Sequence, residues 1–286
     1  MKKILLIVSS TLLLANTFVA QDDADKKFRF GLRISPTPTW LRSTDTKVVD
    51  KGSTKFGFGF GLQMEFRINS TASFVTGIGG DFLGGKQTYK NGQGYVLNKD
   101  NQYVDSKDFD FKKGAAEIYA STLTDGNKLY ELKSRSVKAT YVTIPVLLKL
   151  MTKDISGFKY FGMFGGNIAI QTKFRATDEI NELKYDGSNS YISNGSSTIT
   201  DMKPSGDLVP INVGLNVGLG AEYNLSGSTS FFLSINYLRG FINQYQGSSD
   251  IMVDKIAENV NKASAPAKSK QSALSDGIQI NIGMLF

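Results

Sequence analysis

Residues 56–68 set the pattern for the chain. Phe56, Phe58, Phe60, Leu62, Met64, Phe66 and Ile68 occupy every second position, and Gly57, Gly59, Gly61, Gln63, Glu65 and Arg67 fill the gaps. Side chains of a strand point alternately to opposite faces, so one face here is wholly apolar and the other small or polar. Residues 209–225 repeat the pattern, with Val209, Ile211, Val213 and Leu215 set against Pro210, Asn212, Gly214 and Asn216. Six further segments follow it less strictly: 28–40, 71–83, 137–151, 158–175, 231–241 and 278–286. Most are longer than the five or six residues usual in soluble domains, and long enough for the roughly 9–11 that a tilted membrane strand needs. A soluble sandwich would show Lys, Glu and Thr on its outer face. Here the non-apolar face is Gly and Asn with scattered charges, which suits the crowded inside of a narrow barrel. The apolar face is therefore expected in lipid.

The connections support this. Strands two and three, four and five, and six and seven are joined by the short segments 69–70, 152–157 and 226–230. The intervening connections 41–55, 84–136, 176–207 and 242–277 are long. Long and short alternate, as in outer-membrane barrels with periplasmic turns and extracellular loops. An open sheet in lipid would leave backbone groups unpaired, so strand eight must close on strand one. The expectation is an all-β, eight-stranded, antiparallel up-and-down transmembrane β-barrel. Within loop 84–136, residues 118–124, Asp125-Gly126-Asn127 and 128–133 predict a hairpin standing above the membrane. In the last loop, Met252, Ile256 and Val260 predict a helix over 250–262, followed by a mobile stretch over 263–272.

Composition narrows the chemistry. The 286 residues include no His and no Cys. This removes disulfides, thiolate sites, His-ligated zinc and the commonest general base. The 29 Gly and 19 Phe fit long strands with one small and one bulky face. The net charge is +7, but Lys and Arg are scattered singly, the only basic pair after Lys27 being Lys112-Lys113, which argues against nucleic acid. The chain opens with Lys2 and Lys3, an apolar stretch 4–14 and Ala20 before Gln21. This is the pattern of a secretory signal peptide over 1–20, cut after about Ala20, leaving 21–286 as the barrel domain. The expected location is the outer membrane of a Gram-negative bacterium.

Several constellations suggest chemistry. The Gly57-x-Gly59-x-Gly61 run lies inside a strand with no following helix, so it does not cradle phosphate. Asp105, Asp108 and Asp110 lack the glycine and distal glutamate of a calcium loop. Arg29, Glu65, Arg67, Lys149, Lys159 and Glu222 all fall on the inner face near the periplasmic end. Buried charges must pair, so Glu65 and Glu222 are expected to pair with some of these cations and plug the barrel. Asp81 is the one acid expected on the upper inner wall. Phe28, Phe66, Phe74, Phe158, Tyr160, Tyr223, Phe231 and Phe286 predict a periplasmic aromatic girdle, and Trp40, Phe56, Phe82 and Phe174 the outer one. No catalytic, cofactor-binding or metal-ligating residue emerges.

The segment YVTIPVLLK (141–149) resembles the Y-x-E-I-P-L-L-L-K strand of the PorT-like outer-membrane β-barrel family. The stretches YFGMFGGNIAI (160–170) and NYLRGF (236–241) are similar to that family's following strand and its Y-x-x-G-L segment, and the terminal GMLF (283–286) looks like its C-terminal aromatic signal. Thr143 stands where the family often has a lumenal Glu. The resemblance implies a non-enzymatic barrel with outer-membrane lipid around it. By analogy with the family's namesake, it also implies a role beside a cell-envelope protein secretion apparatus, with envelope or secretion proteins as partners. A small outer-membrane enzyme using Asp81, or a narrow pore, are the alternatives. Loop 84–136 and helix 250–262 are the candidate binding elements.

Overall fold

The computed structural model describes residues 27–286, the side chains of 122–124 and 205 excepted. The expected signal segment 1–20 lies outside the described residues. Eight long strands form a closed antiparallel ring: β1 (Phe28–Arg42), β3 (Lys55–Arg67), β4 (Ala72–Tyr89), β6 (Lys128–Met151), β7 (Phe158–Tyr185), β9 (Ile211–Ser226), β10 (Thr229–Gly240) and β11 (Leu274–Leu285). The ring shuts where β1 pairs with β11, from Gly31↔Leu285 to Arg42↔Leu274. Each ring strand overlaps one of the eight expected segments.

The apolar faces point outward. Phe60, Leu62, Phe164, Leu219 and Ile235 are all about half exposed or more, while Arg29, Glu65, Asn236 and Asn281 are buried inside. The periplasmic girdle is present: Phe28, Phe66 and Phe74 touch in series, and Phe158 packs on Tyr223. The turns below it are tight. Asn69 Oδ1 accepts the amides of Thr71 and Ala72, and Gly157, at φ +86°, donates its amide to Asp154 Oδ1.

Above the membrane the chain departs from the expected loops. β4, β6 and β7 run on past the bilayer, β7 reaching 28 residues. They carry β2 (Val49–Lys51), β5 (Gly94–Leu97) and β8 (Tyr191–Met202) as added edges. Residues 118–124 are not a strand arm but part of a helix, α1 (Ala115–Asp125), in which Ala115 and Ile118 turn one buried side inward. The good helix formers Ala115, Ala116, Glu117 and Ala120 outweigh the β-branched Ile118, Thr122 and Thr124. The helix expected over 250–262 shrinks to α2 (Ile256–Asn261). Before it Val253 bridges Gly94 and Lys268, and residues 254–255 turn, with Lys255 at φ +50°. The stretch expected to be mobile is pinned: Ser269, Gln271 and Ser272 are buried, and Gln87 donates to the Ser272 carbonyl at 2.7 Å.

Phe174 corrects the outer girdle. Between Thr140↔Lys173 and Tyr141↔Gln171 the register shifts, leaving Thr172 as an extra residue. Such a bulge flips the alternation beyond it. Phe174 therefore points inward, 5% exposed, edge-on to Tyr245. Phe56 and Phe82 remain outward, and Trp40 is half-buried under the Lys51 ammonium at 5.2 Å from its ring.

Candidate functional site

The barrel interior is filled at three levels. At the periplasmic level β1, β3, β6 and β9 bring Arg29, Glu65, Lys149 and Glu222 together. Arg29 donates to Glu65 at 3.0 Å and through both terminal nitrogens to Glu222. Lys149 donates to Glu65 at 2.9 Å and to Glu222 at 2.8 Å. All four side chains are at most 2% exposed. The expected pairing is present, with two cations between two carboxylates. Lys149 also stands 4.4 Å from the ring centre of Phe161, which belongs to an apolar plug with Val75, Leu147, Met163, Phe232 and Leu285. Arg67 and Lys159, grouped with the others by sequence, are half-buried, and Lys159 stands opposite Glu222 in the ladder.

The middle level is a chain of amides and hydroxyls. Arg33 donates to Ser35 and Asn281 at 2.8 and 3.1 Å. Asn281 donates to Asn236 at 3.0 Å, Asn236 to Asn216 at 2.7 Å, and Asn216 to Asn167 at 3.0 Å. Glycines leave the room for the charges here: a Cβ on Gly59 would stand 2.1 Å from Asp81 Oδ1, and one on Gly79 3.0 Å from Arg33 Nη2. The cavity lined by Arg33, Gln63 and these asparagines measures about 20 Å³, space for about one water. Asp81 is buried in the wall rather than open to the outer leaflet. On the outward parity of β11, Asp276 is also buried and accepts from Arg42 at 2.9 Å.

The third level is a globular layer over the barrel mouth. Leu41, Leu97, Leu132, Phe174, Ile180, Tyr245 and Met252 form its core. A second cluster unites Ile118 of α1 with Ile256 and Val260 of α2. An ion pair lies at the centre of the first. Arg135 grips Asp178 with two bonds of 2.8 Å and reaches Tyr103 at 3.0 Å, while the Tyr95 hydroxyl donates to Asp178 at 2.9 Å. Burial disfavours the Arg135 charge, but the Asp178 carboxylate outweighs it and holds the guanidinium above its ordinary pKa. Burial, reinforced by Asp178, pushes the Tyr95 hydroxyl up. The expected loop aspartates serve turns: Asp105 accepts from the Lys107 amide and Asp110 from the Lys112 amide. Among the described residues no three His, Cys, Asp or Glu side chains gather as metal ligands.

A family model described as "Outer membrane protein beta-barrel domain" matches residues 19–246. No curated protein matches the chain. Solved structures similar to it include a major outer membrane protein from Thermus thermophilus, at 12% identity over 91% of this chain and 100% of that one, with a TM-score of 0.37. The outer membrane protein OprG from Pseudomonas aeruginosa aligns at 14% identity over 92% and 99% of the two chains, TM-score 0.36. Neisserial surface protein A aligns at 8% identity over 90% and 96%, TM-score 0.35.

Proposed function

Because the chain belongs to the outer membrane protein beta-barrel domain family, we propose that it is a non-enzymatic membrane anchor whose working surface is the folded layer above the bilayer. The observation that carries this reading is the sealed interior. Four buried charges, an apolar plug and an amide chain stop the lumen, leaving a cavity of about 20 Å³. A solute path needs a continuous water column, and eight strands enclose only side chains. The same chain invests long strands, two helices and two apolar clusters in a layer that contributes nothing to spanning the membrane. Such a layer suits recognition of another envelope protein. The resemblance of residues 141–149 to the PorT-like family directs attention to secretion machinery as that partner. The mature domain in this reading is 21–286, released by cleavage after Ala20.

Photo-cross-linkers placed at Tyr119 or Ile192, both exposed on the outer layer, are expected to capture a defined envelope protein in intact cells. Cross-linkers at lipid-facing Leu148 are not. Stepwise conductance by the refolded protein in planar bilayers would overturn the sealed-anchor reading, and so would lipid or peptide hydrolysis lost on Asp81→Asn. Unchanged secretion in a deletion strain would remove the secretion assignment alone. Amino-terminal sequencing of the mature protein should begin at Gln21.

A further inference from the structure

Cations gather on one flank of the barrel, just above its apolar band. In the β6–β7 ladder, Lys138 stands opposite Arg175 and Thr140 opposite Lys173, all on the outward face. The next outward row down is Val142 opposite Ile170. On the other side of Lys138 comes Gly84 of β4, and the Lys55 Cβ lies 3.7 Å from where a Gly84 Cβ would stand. Lys86 follows one outward position above Gly84. Four neighbouring strands thus hold five cations in two or three rows, directly over exposed Phe58 and Phe82. Two carboxylates answer them: Glu179 pairs with Lys86 and Asp201 with Arg175, each at 2.7 Å. Lys55, Lys138 and Lys173 remain exposed, with no carboxylate within 4 Å among the described residues.

The opposite flank differs. There Arg42 bonds to buried Asp276, Arg239 stands across from the same Asp276, and residues 211–217 of β9 carry no charge. Like charges opposite one another weaken a ladder unless an anion lies between them. Asp201 answers Arg175 on one side of this rung, which sits just above the apolar row, so the further anion available to Lys138 and its lysine neighbours is a lipid phosphate. Lysine offers a point charge and arginine a planar fork, both suited to phosphate oxygens.

We propose that this flank is a binding site for the phosphomonoester headgroup of an outer-leaflet lipid. Lys55, Lys138 and Lys173 supply the anchoring charge, Arg175 directs the phosphate, and the acyl chains lie along Phe58, Phe82, Val142 and Ile170. The proposal rests on the reading that the apolar face lies in lipid.

The test is insertion into phosphatidylcholine nanodiscs containing phosphatidic acid, a phosphomonoester, or phosphatidylglycerol, a diester. Lipid retained on the protein is then counted by native mass spectrometry. Each basic group near an anionic surface is worth about fivefold, so K55Q/K138Q/K173Q should lose at least about tenfold in phosphatidic acid retention. K55R/K138R/K173R and, on the far flank, R239Q should keep it. Equal retention by the glutamine variant, no preference over phosphatidylglycerol, or displacement by millimolar inorganic phosphate would overturn the proposal. If the wild-type chain fails to insert at all, the membrane reading fails instead.

Discussion

The barrel and the layer above it are built from the same strands by opposite rules. In the lower half of β7 Phe164 and Ile168 face out and are 62% and 42% exposed, whereas in the upper half Phe174 and Ile180 face in and are 5% and 0% exposed. The single extra residue Thr172 makes the exchange. Below it, paired charges and amides around a small apolar plug fill the interior and the surface is apolar. Above it, the interior is apolar around one buried ion pair and the polar face meets water. A strand period of two fixes only that the faces differ. The surrounding medium decides which one must be apolar, and a one-residue bulge lets a continuous strand serve both media.

The largest test of this contrast concerns the polar interior. Glu222→Gln leaves Arg29 and Lys149 buried with one carboxylate between them. Removing one partner of a buried pair costs about 3–5 kcal/mol. Urea unfolding in lipid vesicles should show a loss of that order for the whole barrel. A loss below about 1 kcal/mol would mean that water reaches the cluster and that the barrel floor is open.

The apolar interior above should fail differently. Leu132, 1% exposed in the outer core, should cost about 2–5 kcal/mol on substitution by alanine. That loss should appear as faster amide exchange in β5, β8 and α1, while the heat-modifiable gel mobility of the barrel is unchanged. If the barrel loosens with it, the two regions are one cooperative unit.

What could be read from the sequence follows the same division. In the membrane, every outward position must be apolar, so the alternation of residues 56–68 or 209–225 is uninterrupted and the eight strands are plain. The charge cluster is legible because parity and level suffice to bring Arg29, Glu65, Lys149 and Glu222 together. Above the membrane the same logic misleads. Thr172 carries no sequence mark of a bulge, so simple alternation assigns Phe174 to the wrong face. Met252, Ile256 and Val260 have helical spacing, but Val253 finds bridge partners in Gly94 and Lys268 that no local pattern reveals. Tertiary pairing overrides local pattern there, as it does at Ser269 and Gln271, whose composition suggests a tail and whose side chains are buried.

A matched pair of lysine substitutions separates the two media directly. Leu62, midway between the two girdles, and Ile192 of β8 are 49% and 54% exposed, so geometry alone treats them alike. Lysine on the lipid face costs about 2–4 kcal/mol near the bilayer midplane, whereas an exposed site in water tolerates it within about 0.5 kcal/mol. Leu62→Lys should therefore impair folding into vesicles and Ile192→Lys should not. Equal behaviour would place both side chains in the same solvent.

The smallest effect lies at the seam between the regions. Glu179 accepts from Lys86 at 2.7 Å and from Ser134 at 2.6 Å, and the Lys86 bond, then the Ser134 bond, hold its carboxyl below its ordinary value of 4.5. A carboxylate depressed in the folded state stabilises above its unfolded pKa and loses that contribution as pH falls through the folded one. The pair's contribution should thus be constant from neutral pH down to about 5, and fade only below 4.5. Glu179 is half exposed, so solvent screening limits the pair to about 0.2–1 kcal/mol. Glu179→Gln should remove that increment at neutral pH and flatten the acid limb of the stability curve. It should also free Lys86 to join the cations over Phe82, so retention of phosphatidic acid should rise while stability falls. A variant that loses stability without gaining lipid would show that Lys86 belongs to the outer layer alone, and that the boundary between the two media runs below it.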